Sequence, residues 1–236
     1  MGRKRAIPIR WRVAAALLLV AFGVAGWQWW VFIHWTPPRD AFPVQGVLVG
    51  ADDGADGRGA DFIALKAVGA DFVYLEASIG AKGRDPSFGR NLAAARASGL
   101  PIGVVHHYDP CLRADRQAAN FVTIVPRDAS LLPPAIELDG TADRCQPRVS
   151  EAEVESELTT FLNQVEGHVG KPAILKLSPE FEARYEISAR IERNLWLVRD
   201  RFQPDYGGRP WTLWTANTHL RSPAAESPLR WVAAQP

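Results

Sequence analysis

A chain of 236 residues is long enough for one sizeable domain and an appended segment. Its 27 basic and 26 acidic side chains leave a net charge of +1, which excludes the broad basic footprint of a nucleic-acid binder. Cys111 and Cys145 stand too far apart for a C-x-x-C motif; the sequence calls for no metal and no cofactor.

The basic charge is concentrated at the start. Arg3, Lys4, Arg5, Arg10 and Arg12 lie within residues 1–12, and the 21 residues from Val13 to Ile33 then carry no charge. At about 1.5 Å per residue such a run spans a hydrocarbon core of about 30 Å. Trp11 stands at its near end, and Trp27, Trp29, Trp30 and Trp35 at its far end, where indole rings prefer the headgroup layer. A cleaved signal peptide would have a shorter apolar stretch and small residues at its end. The expectation is therefore an uncleaved transmembrane helix over 13–35. The chain would cross a bacterial inner membrane once, with a cytoplasmic N-terminus and a periplasmic or extracellular domain.

Residues 36–43, T-P-P-R-D-A-F-P, suit an extended spacer. From residue 44 to 236 strand and helix signals alternate. Strands are expected at Gly46–Gly50, Asp71–Ala77, Ile102–Tyr108 and Ala135–Leu138, with weaker candidates at Ala173–Leu177, Leu195–Val198, Trp211–Trp214 and Arg230–Ala233. Helices are expected at Asp61–Val68, Pro86–Ser98, Arg113–Ile124 and Ser150–Val169, the last opened by a Ser150–Glu153 capping box. The stretch from Thr218 to Ser227 reads as loop. This alternation implies an α/β fold with a mainly parallel sheet, a small or incomplete (β/α) barrel, whose sites lie at the C-terminal ends of its strands.

The ordered segments DFIALKAVGADFVYLEASIG (61–80), DPSFGRNLAAARASGLPIGVVHHYDP (85–110), Gln117–Phe121, PPAIELD (133–139) and GKPAILKLSPEF (170–181) resemble glycoside hydrolase family 25, the lysozyme or muramidase family. The likeness runs from about Gly46 to Trp214. It implies a family 25 barrel acting on the glycan strands of peptidoglycan. The family's paired acids match Glu137 and Asp139. Side chains alternate along a strand, so these two share a face. Glycoside hydrolysis needs such a pair: one group protonates the leaving oxygen, and the other serves as nucleophile, base or charge stabiliser.

The order is inverted relative to the family's Asp-x-Glu, which shortens the side chain at the donor position. Other positions also depart from the family pattern. Leu48 replaces the aspartate of the first strand, with Asp52 and Asp53 as candidate substitutes. Glu76 replaces a lysine and Ile79 a glutamate in the family's K-A-T-E-G loop. Lys176 replaces a tyrosine, Thr215 a glutamine, and Arg230 a late aspartate. His106 matches the family's strand-end histidine and is expected to line the cleft, while His107 faces a helix. Tyr108 and Trp214 are candidates for stacking on sugar rings, with core packing as the alternative for each. Cys111 and Cys145 follow consecutive strands, so their loops share a rim, and an oxidising compartment favours a disulfide between them. The expected function is that of a membrane-anchored N-acetylmuramidase-type hydrolase with weak or altered activity. The alternative is an inactive module of the same fold that binds cell-wall glycan or a protein partner.

Overall fold

The computed structural model describes residues 9–53 and 60–236, without the side chains of residues 9, 12, 13 and 52. The chain divides into two compact units, Met1–Trp35 and Thr36–Pro236. The first contains helix α1 (Ile9–Ile33), whose segment Ala14–Ile33 has a mean hydropathy of 1.8. It is long and apolar enough to cross a membrane.

The second unit is built on strands β1 (Gln45–Val49), β2 (Phe72–Ile79), β3 (Gly83–Arg84), β4 (Ile102–His107), β5 (Ala135–Leu138), β6 (Ile174–Leu177), β7 (Asn194–Val198), β8 (Leu213–Leu220) and β9 (Leu229–Ala234). Eight of them close a barrel. β1, β2, β4, β5, β6, β7 and β8 run parallel in that order, and β9 closes the ring antiparallel to both β8 and β1. β3 adds a short hairpin arm to β2. The expected (β/α) barrel is thus corrected to one of mixed strands.

Helices α2 (Phe62–Ala67), α3 (Phe88–Ser98), α4 (Ala114–Ile124) and α5 (Glu151–Val169) follow β1, β3, β4 and β5, and the short α6 (Pro179–Tyr185) and α7 (Ile187–Arg190) follow β6. Asp61 caps α2 by accepting from the Ile63 and Ala64 amides, and Ser150 and Glu153 form the reciprocal capping box of α5. Gly99 ends α3 in the left-handed conformation, at φ 71°, that a side chain would strain. Among the described residues no helix follows β7 or β8.

The outer face of β8 is covered instead by the segment before β1. Phe42 is buried, its ring 5.6 Å from that of Trp214 and 6.2 Å from that of Trp211. Gln45 Nε2 donates to the carbonyls of Pro37 and Phe42 at 2.8 Å, and Arg39 pairs with Asp71 at 3.1 Å. Residues 36–43 therefore pack against the domain, and the expected free spacer is not seen. β8 also extends to Leu220, into a polar stretch expected as loop, because β9 pairs with it across two register shifts.

Two apolar cores result. The larger lies between the barrel and its helices and includes Leu75, Phe121, Leu158, Phe161 and Leu175. The smaller fills the barrel with Leu48, Tyr74, Val105, Ile174, Trp196 and Val232. Tyr74 and Trp196 meet edge to face at 4.9 Å, and a side chain at Gly103 would overlap the Tyr74 ring.

Candidate active site

One pleat beyond the barrel's apolar filling, the same strands turn charged groups inward. Two residues after Tyr74 comes Glu76, after Val105 His107, after Ala135 Glu137, and after Ile174 Lys176. Strand pairing sets His107 beside Glu137 and Glu137 beside Lys176. Because β9 runs the other way, Arg230 at its start joins the same rim.

These groups form a chain of contacts. Lys176 Nζ donates to Glu137 Oε1. His107 lies between two carboxylates, its Nδ1 3.6 Å from Glu137 Oε2 and its Nε2 3.4 Å from Glu76 Oε1. Arg230 Nη1 donates to Glu76 Oε1, and its Nη2 to Asp53 Oδ2 at 3.2 Å. Asp53 Oδ2 also accepts the Gly50 amide at 2.6 Å. A side chain at Gly50 would collide with the Glu76 carboxylate, so glycine there leaves room for the Glu76–Arg230 pair. Trp196 forms the floor, with Lys176 Nζ 5.7 Å from its ring centroid.

The electrostatics follow from burial set against pairing. Burial raises the Glu76 carboxyl, but His107 and Arg230 outweigh it and bring its pKa down to about 2. Burial disfavours protonated His107, yet Glu76 and Glu137 reverse the sign and raise it. Burial raises Asp53, against the Gly50 amide and Arg230. Burial also disfavours charge on Arg230, but Glu76 and Asp53 raise its pKa.

Glu137 and Asp139 line a single cavity of about 260 Å³ at this rim, together with Lys176, Ser178, Thr215 and Arg230. Glu137 is largely enclosed, with its side chain 14% exposed, and among the described residues its Oε2 accepts no hydrogen bond. Asp139 is exposed and makes no ion pair among the described residues. Beyond Arg230 a second cavity of about 300 Å³ is lined by Asp53, Glu76, Thr218 and His219. Glu76, His107 and Glu137 each bring one donor atom within 4.8 Å of the others. Lys176 and Arg230 already supply cations to both carboxylates, and the imidazole offers a different nitrogen to each acid. The set therefore reads as a salt-bridge network rather than a metal nest.

The expected site residues divide. Glu137, Asp139, Asp53 and Glu76 come together at the rim; the Asp52 side chain lies outside the described residues. The orientation of the histidines is the reverse of that expected. His106 is fully buried on the helix side, where Ser78 Oγ lies 2.8 Å from its Nδ1 and Phe161 packs 4.7 Å from its ring. Burial lowers its pKa to about 3. His107 lines the mouth. Tyr108 is buried, 3% exposed, with its ring 5.4 Å from that of Phe161. Trp214 is buried on the outside of β8, its Nε1 donating to the Arg199 carbonyl at 2.7 Å. Neither ring is placed to stack on a sugar in the mouth. His107, Lys176 and Arg230 were not expected as site members. Two signals were available: Lys176 and Arg230 stand where the family pattern has a tyrosine and an aspartate, and all three lie two residues from the interior positions Val105, Ile174 and Val232. The expected pair Cys111–Cys145 is a disulfide with its Cα atoms 5.2 Å apart, and it ties the loop after β4 to the segment after β5.

Comparison with known proteins agrees with this architecture. The structure of a family 25 glycosyl hydrolase from Bacillus anthracis superposes with a TM-score of 0.74 at 22% identity, covering 85% of this chain and 92% of that one. A bacterial lysozyme from Streptomyces coelicolor gives 0.69 at 17% identity, covering 81% and 91%. The Clostridium perfringens spore cortex lytic enzyme SleM gives 0.67 at 20%, covering 81% and 67%. In sequence, the Escherichia coli K12 protein YegX, itself uncharacterised, is 26% identical over 145 residues, 61% of this chain. The chain matches about half of that relative's length, 51%. The sequence profile of glycosyl hydrolases family 25 matches residues 55–221, most of the chain, so this protein belongs to that family.

Proposed function

We propose that the protein is a membrane-anchored, lysozyme-like hydrolase of peptidoglycan glycan strands, of the N-acetylmuramidase type and with altered activity. The observation that carries this reading is the shared cavity of Glu137 and Asp139 at the rim of a family 25 barrel. Asp139 is the accessible acid. It gives its proton to the glycosidic oxygen as the bond from the anomeric carbon breaks. Water adds to that carbon, and its released proton returns to Asp139. Glu137 is held by Lys176 and His107 and presents negative charge to the oxocarbenium-like centre. The Lys176 cation offsets part of that charge. This supports a slower reaction than an unpaired carboxylate would allow. Asp53 and Glu76, fixed by Arg230, line the adjoining cavity and are proposed to contact the sugar.

Helix α1 supports a single-pass anchor, with the basic N-terminus in the cytoplasm and the domain outside an inner membrane. Protease added to intact spheroplasts should then digest the domain; protection from protease would reverse this topology.

The function is tested with the full chain in detergent and purified peptidoglycan. New reducing ends should appear, and Glu137→Gln or Asp139→Asn should each slow their release by about 10²-fold or more. Binding to peptidoglycan with no reducing ends at high protein concentration would replace the hydrolase by a binding module.

A further inference from the structure

A cavity of about 1130 Å³ lies apart from the acidic mouth. It is an open groove between the β2–β3 hairpin and α4, lined by Ile79, Ala81, Lys82, Leu112, Arg116 and Asn120 among others. It lies beside the C-terminal ends of β2 and β4, the same end of the barrel as the mouth, and shares no lining residue with the mouth cavities. Ile79 pairs in register with His107, and the Gly80 amide donates to the His107 carbonyl at 2.9 Å. The groove is also built rigidly. Asn120 Nδ2 donates to the carbonyls of Gly80 at 2.9 Å and Gly83 at 2.8 Å, which fixes the hairpin against α4. The Cys111–Cys145 disulfide holds the loop that carries Leu112.

Its chemistry is selective. Lys82 and Arg116 are exposed, and neither has a partner among the described residues. The one acid in the lining, Asp109, accepts the Cys111 amide at 2.8 Å. Among the described residues no aromatic side chain lines the groove, so they offer neither the platform on which sugar rings stack nor the anchors that dominate protein interfaces. Small aliphatic walls with two unpaired cations match a short peptide of alanine-like residues bearing free carboxylates.

We propose that this groove seats the acidic stem peptide of peptidoglycan, with Lys82 and Arg116 receiving its carboxylates and Ile79 and Leu112 its methyl groups. The inference rests on the reading that the mouth takes the glycan strand. A stem peptide attached to a sugar in the mouth leaves it sideways, and the groove begins one strand position from His107. The enzyme would thereby distinguish peptide-bearing glycan from stripped glycan.

The test uses the full chain in detergent, carrying Asp139→Asn so that cleavage does not remove the ligand. Binding is measured by co-sedimentation with intact sacculi and with sacculi whose stem peptides an amidase has removed. Intact sacculi should bind about five-fold more tightly, the scale of two exposed charge contacts. The double variant Lys82→Glu, Arg116→Glu should lose that preference without weakening binding to stripped glycan, and Lys82→Arg, Arg116→Lys should keep it. Both positions are exposed and unpaired, so neither substitution threatens folding. Equal binding to the two preparations, or a preference that survives charge reversal, overturns the proposal. The unsubstituted chain separates the two readings. If it cleaves glycan but shows no peptide preference, the groove falls and the hydrolase stands. A charge-dependent preference without cleavage has the opposite meaning, and binding to neither preparation ends both.

Discussion

Two layers inside the barrel, one pleat apart on the same strands, differ in every respect except position. The lower layer, with Tyr74, Val105, Ile174, Trp196 and Val232, is buried and apolar. The upper layer, with Glu76, His107, Glu137, Lys176 and Arg230, is a charged network that reaches solvent. The lower layer stabilises by removing apolar surface from water. The upper layer must hold several ionised groups close together, and desolvation cancels much of what their attraction returns. The contrast assigns closure of the barrel to the lower layer, and the proposed function assigns the chemistry to the upper one.

The largest effect should come from the floor between them. Trp196 is fully buried, meets Tyr74, and donates from Nε1 to Thr215 Oγ1 at 2.8 Å. Trp196→Ala should cost about 4 kcal/mol in denaturant unfolding, because the closed ring of strands cannot collapse around the void. A loss below about 1 kcal/mol would show that the lower layer is not the closure.

The upper layer should respond differently. Lys176→Met leaves Glu137 largely enclosed beside His107 alone and should cost about 3 kcal/mol. Adding Glu137→Gln removes the stranded charge, and the double variant should return to within about 1 kcal/mol of the parent while staying inactive. Additive losses in this cycle would contradict the claim that the pair is kept for chemistry.

The same network fixes a pH dependence. The Glu76 pKa falls from an ordinary 4.5 to about 2 in the folded state, so its contribution is complete above pH 4.5 and disappears as pH falls toward 2. The difference corresponds to about 3 kcal/mol. His107 is raised, so its contribution is complete below its ordinary 6.5 and is lost as pH rises through the folded value. Melting temperature against pH should show a plateau between these limits. Glu76→Gln should flatten the acid limb and His107→Gln the neutral one, and two unchanged limbs would remove the network from the pH response.

Legibility in the sequence followed the range of the interactions involved. β5 coincides with its apolar run because Pro133, Pro134 and Gly140 bound it locally. α5 is announced by Ser150 and Glu153. α6 was not expected, although Ser178 at its N-cap and Pro179 at its first position are a recognisable start. The antiparallel direction of β9 depends on which strands it lies between, and no local pattern encodes that. The histidines show the same limit. Alternation along β4 puts His107 on the face of Val105 and His106 on the other, but which of those faces turns into the barrel is set by the closure of the sheet and not by any local pattern. Glu76 and Arg230 lie 154 residues apart, so their mutual neutralisation was visible only as two unrelated departures from the family pattern.

The smallest predicted effect bears on the same division from outside the barrel. Ser150 caps α5 through the Glu153 amide at 3.3 Å, and α5 packs Leu158 and Phe161 against the outer face of the barrel strands. Ser150→Ala should cost about 1 kcal/mol, the ordinary value of a lost cap. It should leave glycan cleavage unchanged, because α5 packs behind the strands, against buried His106 and Tyr108, and Ser150 contacts none of the charged groups of the mouth. A loss of cleavage larger than the loss of stability would mean that the upper layer is positioned from the helix coat. The charged network would then not be set by the strands alone, and the contrast between the two layers would have to include the face behind them.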